Sequence, residues 1–251
     1  MSGHSKWSSI KHKKGAADAK RGQLFTKLTR ALIVAARDGG GDPAANLALQ
    51  NAIEKARAAS MPKDNIERAI ARGAGTGADS AAYERISYEG YAPGGVAVYV
   101  DVLTDNRNRT AGEVRHIFAR HDGNLAESGA VAWLFERKGV LLVDAGSVDE
   151  EDLTLAAADA GAEDVREEGS SFEVTCAPED LHAVRQALEA AGIEVTDAQA
   201  TMLPKTTIAI EDEATAKKVL RLIDALEEAD DVQDVYANFD IPERVLEAVA
   251  A

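Results

Sequence analysis

Apolar positions along the chain change period near residue 80. Between Lys20 and Arg37, Leu24, Leu28, Ala31, Leu32 and Ala35 recur at helical spacing on one stripe. Asp38 and Gly39-Gly-Gly41 stop that helix. Asp42, followed by Pro43 at a first helical position, predicts the cap of a second helix with Leu49, Ile53 and Ala56 inward. Met61-Pro62 separates it from a third, which carries Ile66, Ala69 and Ile70 and closes at Gly73. Short connections between amphipathic helices predict a three-helix bundle. The stretch Gly73–Ser80 is a linker by composition.

Beyond it the period drops to two. Val96, Val98, Val100 and Val102 alternate with Ala97, Tyr99 and Asp101, a strand whose partner is Tyr83–Tyr91 across Pro93-Gly94-Gly95. Thr110-Ala-Gly-Glu113 predicts a capping box that opens a helix over Val114, Ile117 and Phe118, and Ala130–Phe135 a further strand. From Gly139 to Leu203 the order is strand, helix, strand, strand, helix, strand, the split βαβ or ferredoxin-like arrangement. After Pro204 come a strand (Thr206–Ile210), a helix (Glu213–Glu228) and a strand (Val232–Asn238). They complete no sheet of their own, so they are expected to finish the one begun at residues 83–135. The fold class is therefore α+β: an N-terminal three-helix bundle followed by two α/β domains, the last inserted in the middle one. The expected boundaries are 1–80 for the helical domain and linker, 81–136 with 204–240 for the middle domain, 137–203 for the insertion and 241–251 for a C-terminal tail.

Charge sharpens this outline. The 251 residues carry a net −15, which read as a whole argues against nucleic acid. The charge is divided unevenly, however. Residues 1–37 hold nine basic residues and one acid, +8; residues 38–75 are neutral; residues 76–251 stand at −23. A basic arm on an acidic body points to a polyanion met at one end. Lys6-Trp7, Lys11-His12-Lys13-Lys14, Lys20-Arg21, Lys27 and Arg30 are the candidate nucleic-acid contacts. The cations neutralise phosphate. Trp7 can stack on a base or pack the arm against the bundle. A second candidate is the polar stretch 104–110, where Asn106, Arg107 and Arg109 could meet phosphate or a carboxylate, or only close a turn.

Signatures of catalysis are absent. There is no phosphate loop, no His-Glu-x-x-His zinc helix and no nucleophile elbow. His116 and His121 sit five apart, on different sides of a helix, and Cys176 alternates with Phe172 and Val174 as a core residue. The ferredoxin-like unit lacks the aromatic signature of an RNA-recognition sheet. One cysteine, no long apolar run and no apolar leader predict a cytoplasmic protein with no disulfide framework and no membrane segment. No enzyme activity, cofactor, metal or small-molecule substrate is expected.

Several blocks carry a resemblance. Gly3-His-Ser-Lys-Trp7, Ile10-Lys-His12, Asp18-Ala-Lys-Arg21, Phe25-Thr-Lys27, Gly39-Gly-Gly-Asp-Pro43, Met61-Pro-Lys-Asp64, Arg68-Ala-Ile-Ala-Arg72-Gly73, Tyr88-Glu-Gly-Tyr91, Asp105-Asn-Arg-Asn-Arg-Thr110 and Gly129-Ala-Val131 together resemble the YebC/PmpR family, whose mitochondrial relative is the translational activator of cytochrome c oxidase. The resemblance implies three domains and a cytoplasmic bacterial protein without cofactor. It implies a DNA-binding transcriptional regulator or, as in other members, a ribosome-associated translation factor that contacts ribosomal RNA and relieves stalls such as those at proline runs. The acidic domains are then expected to stay clear of phosphate or to face basic protein surfaces.

Overall fold

A computed structural model describes residues 17–75 and 83–250. The first helix, α1 (Ala17–Gly39), extends the periodic stretch at both ends. It packs Leu32, Ile33 and Ala36 on Leu49, Ile53 and Ala56 of α2 (Leu47–Ala58) and on Ile66 and Ala69 of α3 (Lys63–Gly73). The cap of α2 is Asn46 rather than Asp42. Asp42 instead closes its own turn, its carboxylate accepting from the Ala44 amide at 3.0 Å. Asn46 accepts from Leu49 N and donates to the carbonyls of Ala35 and Gly40, so one buried amide ties the end of α1 to the start of α2. A carboxylate could not donate those two bonds.

Gly73 lies against the α1 backbone. A Cβ there would sit 2.2 Å from the Ile33 carbonyl oxygen and 2.8 Å from the Ala36 methyl. Gly73→Ala is therefore expected to destabilise the bundle by about 1–3 kcal/mol although alanine is the better helix former. A urea midpoint equal to that of the parent would contradict this.

The middle sheet has strand order β3-β1-β2-β9. In it β1 (Glu84–Tyr91) and β2 (Ala97–Thr104) form the expected hairpin, β3 is Asn124–Leu125, and β9 (Val232–Ala237) pairs antiparallel with β2. Val98, Val100 and Val102 face α4 (Arg107–Arg120) and α7 (Glu213–Glu228) in one core with Phe118, Leu220 and Ile223, while Tyr99 and Asp101 point to the other face. The inserted unit comprises β4 (Phe135–Asp144), α5 (Glu150–Asp159), β5 (Asp164–Glu168), β6 (Ser171–Cys176), α6 (Leu181–Ala190) and β7 (Val195–Pro204). Its antiparallel order β5-β6-β4-β7 is the ferredoxin-like one. Cys176 is wholly buried in its core, and burial pushes the thiol up to about 11.

Four further expectations change. Only Ile208–Ala209 of the segment 206–210 is strand (β8), and it leaves the main sheet to pair in parallel with β10 (Phe239–Asp240). The buried Asn238 diverts the ladder there, accepting from the Ala97 amide and donating to the Thr206 carbonyl. Residues 132–134 form a 3₁₀ turn, because a side chain takes the amides that a strand would need. The helix after β2 begins at Arg107, one turn before the expected capping box, with Asn106 as its cap. Residues 243–250, expected as tail, form α8 (Glu243–Ala250), which buries Val245 and Leu246 in the middle core.

Candidate nucleic-acid interface

Of the sequence-predicted contacts, Lys6, Trp7, Lys11, His12, Lys13 and Lys14 lie outside the described residues. Lys20 and Arg21 fall in the first turns of α1. Further along that helix, Lys27 and Arg30 are turned onto the acidic body. The Lys27 ammonium donates to the Glu227 carbonyl, and one Arg30 guanidinium nitrogen donates to the Asp230 carbonyl and lies 3.0 Å from the Asp231 carboxylate. Arg30 also stacks over Tyr83, 5.8 Å from the ring centre. Burial pulls the Lys27 ammonium below the usual lysine range, against the opposing pull of Glu227, Asp234 and Asp230. These two cations hold the bundle to the middle sheet.

Asp231 is the centre of that contact. It is 2% exposed and sits in the turn between α7 and β9. One carboxylate oxygen meets Arg30. The other accepts from Thr110 (2.6 Å), Arg109 (2.8 Å) and Thr104 (3.2 Å). Burial alone would raise this carboxyl; the hydrogen bonds from Arg109 and Thr110 and the charge of Arg30 outweigh it and hold it below the usual aspartate range. Three segments far apart in sequence thus close on one anion. Nothing in the local sequence distinguishes Asp231 from the many acids around it.

The second predicted patch divides. Asn106 is spent capping α4, and Arg109 on Asp105 and Asp231. Arg107 remains. It borders an open groove of about 490 Å³ between β1 and the outer face of α4, with Tyr88, Asn108, Arg115 and Ser128. The Tyr88 hydroxyl donates to the Arg107 carbonyl at 3.5 Å. Burial raises the Tyr88 phenol, while Arg107 and Arg115 both lie close enough to pull it down. Arg115 and Ser128 were not singled out from sequence, and Tyr88 only as part of a family-like block, because their proximity arises only when helix and strand pack.

Ser128 belongs to a loop held by Glu89. That carboxylate is 3% exposed and accepts from the amides of Gly129 (2.7 Å), Val131 (2.7 Å) and Ala132 (2.8 Å). Burial would raise its pKa; the three amides outweigh that and lower it. The loop carries Trp133, 66% exposed. A larger cleft of about 1090 Å³ opens where the bundle, the middle sheet and the inserted unit meet. On its floor Tyr99 faces Tyr236 and Asp101 faces Asp234 across β2 and β9, and Arg85 and Arg137 flank them. Burial raises the Asp101 carboxyl against the opposing charge of Arg85.

Among the described residues no group of three or more His, Cys, Asp or Glu is placed to hold a metal, and no helix is long and apolar enough to cross a membrane. The class of protein is set by fold: a helical bundle docked by ion pairs on an α+β body with a ferredoxin-like insertion. The chain belongs to the TACO1/YebC family. Its residues 5–76 match the TACO1/YebC protein N-terminal domain, and residues 83–239 match the TACO1/YebC second and third domain. It is 62% identical over 250 residues to a protein of Rubrobacter xylanophilus named "Probable transcriptional regulatory protein", and 54% identical over 250 residues to one of Syntrophobacter fumaroxidans with the same name, all of both chains being covered in each case. The crystal structure of a conserved hypothetical protein from Aquifex aeolicus has the same fold, with a TM-score of 0.79 at 53% identity over 90% of this chain and 93% of that one.

Proposed function

We propose that this chain is a non-enzymatic, cytoplasmic regulator of gene expression that binds nucleic acid through its basic N-terminal region, and that it acts as a DNA-binding transcriptional regulator. The observation that carries this reading is the charge division: +8 in residues 1–37 against −23 in residues 76–251. The names of its relatives agree with a regulator. An acidic body repels phosphate, so binding centres on the arm and the start of α1, where Lys6 to Arg21 concentrate the positive charge.

One observation favours RNA on the ribosome instead. The later half of α1 is tied to Asp231 through Arg30, and a DNA major groove laid along that half would bring phosphates against Glu227, Asp230 and Asp231. An arm entering folded ribosomal RNA from one end avoids this clash.

Replacing Lys11, Lys13 and Lys14 with Ala is expected to weaken binding and to lower the slope of log affinity against log salt by roughly 0.7–0.9 for each phosphate no longer neutralised. An unchanged slope would overturn the arm reading. Co-sedimentation with ribosomes, set against binding of promoter fragments at about 150 mM salt, separates the two nucleic acids.

A further inference from the structure

We infer that the groove between β1 and α4 is a second phosphate-binding site, which takes the backbone of the same nucleic acid that the arm engages; the inference rests on the nucleic-acid reading above. The body around it is strongly acidic, yet Arg107 and Arg115 have no ion-pair partner among the described residues, and both are exposed. Beside it Arg109 pairs with Asp105 and Asp231, and Glu89, which also lines the groove, has its carboxylate hydrogen-bonded to the amides of Gly129, Val131 and Ala132. Two free guanidinium groups aimed at one groove in such surroundings are an anion site without its anion's charge supplied from within.

The spacing selects the ligand. Asn108, Ala111 and Arg115 fall at i, i+3 and i+7, one stripe of α4 that faces the groove. Arg107 and Arg115 are eight residues apart, about 12 Å along the helix axis. A separation of that order along the helix suits anions repeated along a chain. The small Ala111 side chain leaves room between them. Guanidinium forks bind phosphate oxygens bidentately. Asn108 and Ser128 supply an amide and a hydroxyl donor on the two walls of the groove, a pattern suited to phosphate and ribose oxygens. The first turn of α4 adds its own positive dipole end at Arg107.

The test is a salt series from about 50 to 200 mM on the full chain with three probes, a mixed-sequence single-stranded RNA, the DNA duplex of the same sequence and a polyglutamate peptide. The variants are Arg107→Ala with Arg115→Ala, Lys11→Ala with Lys13→Ala and Lys14→Ala, and Lys205→Ala with Arg221→Ala. The last pair removes the same charge from exposed positions elsewhere on the body. The groove pair is expected to lower the slope by about 1.4–1.8 on the preferred probe, the increment for two neutralised phosphates, and the Lys205/Arg221 pair to leave it unchanged. Arg107→Lys with Arg115→Lys keeps both charges and is expected to restore most of the slope. A groove pair that leaves the slope intact while the arm variant lowers it overturns the groove and leaves the arm standing. No change in either variant overturns both. Retention of the nucleic-acid slope with loss of binding to a polyglutamate peptide marks a site for protein carboxylates and also overturns the proposal.

Discussion

Asp231→Ala is expected to lower the stability of the chain by about 3 kcal/mol, the lower end of the range for removing one partner from a buried ion pair. Arg109 is half exposed, and water replaces its missing partner at small cost. Arg30 is only 15% exposed, its Nε is already buried without an acceptor, and the Thr104 and Thr110 hydroxyls lose their common anion. Asp230→Ala is the control. That residue offers Arg30 its backbone carbonyl, which survives substitution, and its exposed side chain predicts an effect within about 0.5 kcal/mol. Equal urea midpoints for Asp231→Ala and the parent would remove Asp231 from the docking of the bundle. The pH dependence has a definite sign. The folded carboxyl is held below its unfolded value, about 3.9, so its contribution is complete above that value and disappears as pH falls through the lower folded one. The gap between parent and Asp231→Asn is therefore constant from neutral pH down to about 5 and closes only in stronger acid.

The same residue shows where reading the sequence stops. Periodicity located α1, the β1–β2 hairpin, α7 and the ferredoxin-like unit because each buries a stripe or face that local spacing already displays. Gly169 closes the β5–β6 turn at φ +66°, a left-handed conformation that glycine adopts without a Cβ penalty. The errors lie where one polar side chain overrides local propensity from a distance. Asn46 displaced Asp42 as the cap because it can donate to α1. Glu89 turned a β-compatible stretch into a 3₁₀ turn. Charge counting placed Lys27 and Arg30 with the binding arm, but a count along the chain cannot tell a cation that faces solvent from one that meets Asp230 and Asp231 two hundred residues later. The stretch 104–110 was recognisable as polar and arginine-bearing. Which arginine is free depended on Asp231, and the sequence alone does not disclose that partner.

Glu89→Ala is expected to cost about 1–3 kcal/mol and to loosen residues 126–134 before the rest of the middle sheet. One carboxylate satisfies three backbone amides, of which that of Val131 is buried, and each buried donor left unmet costs about 1–3 kcal/mol; those of Gly129 and Ala132, only part-buried, can be met by water. Glu89→Gln separates charge from shape. Its single acceptor oxygen can serve either Gly129 or the Val131–Ala132 pair, and its NH₂ then confronts the other amides, so most of the destabilisation should persist. Glu89→Asp, shorter by one methylene, is expected to fall between parent and alanine. Trp133, on the same loop with its indole N–H on the Ala130 carbonyl, reports the opening by fluorescence, and amide exchange at 129, 131 and 132 reports it residue by residue. Because the folded Glu89 carboxyl is held low, the loop should stay closed at neutral pH and open only as pH falls below the usual glutamate range. Exchange at these amides that is unchanged in Glu89→Ala would mean that the chain, rather than the carboxylate, sets the loop. Ser128 and Ala126 of this segment form one wall of the Arg107–Arg115 groove. A loosened wall should therefore reduce any binding there while both arginines remain in place, which distinguishes a preorganised groove from two independent charges.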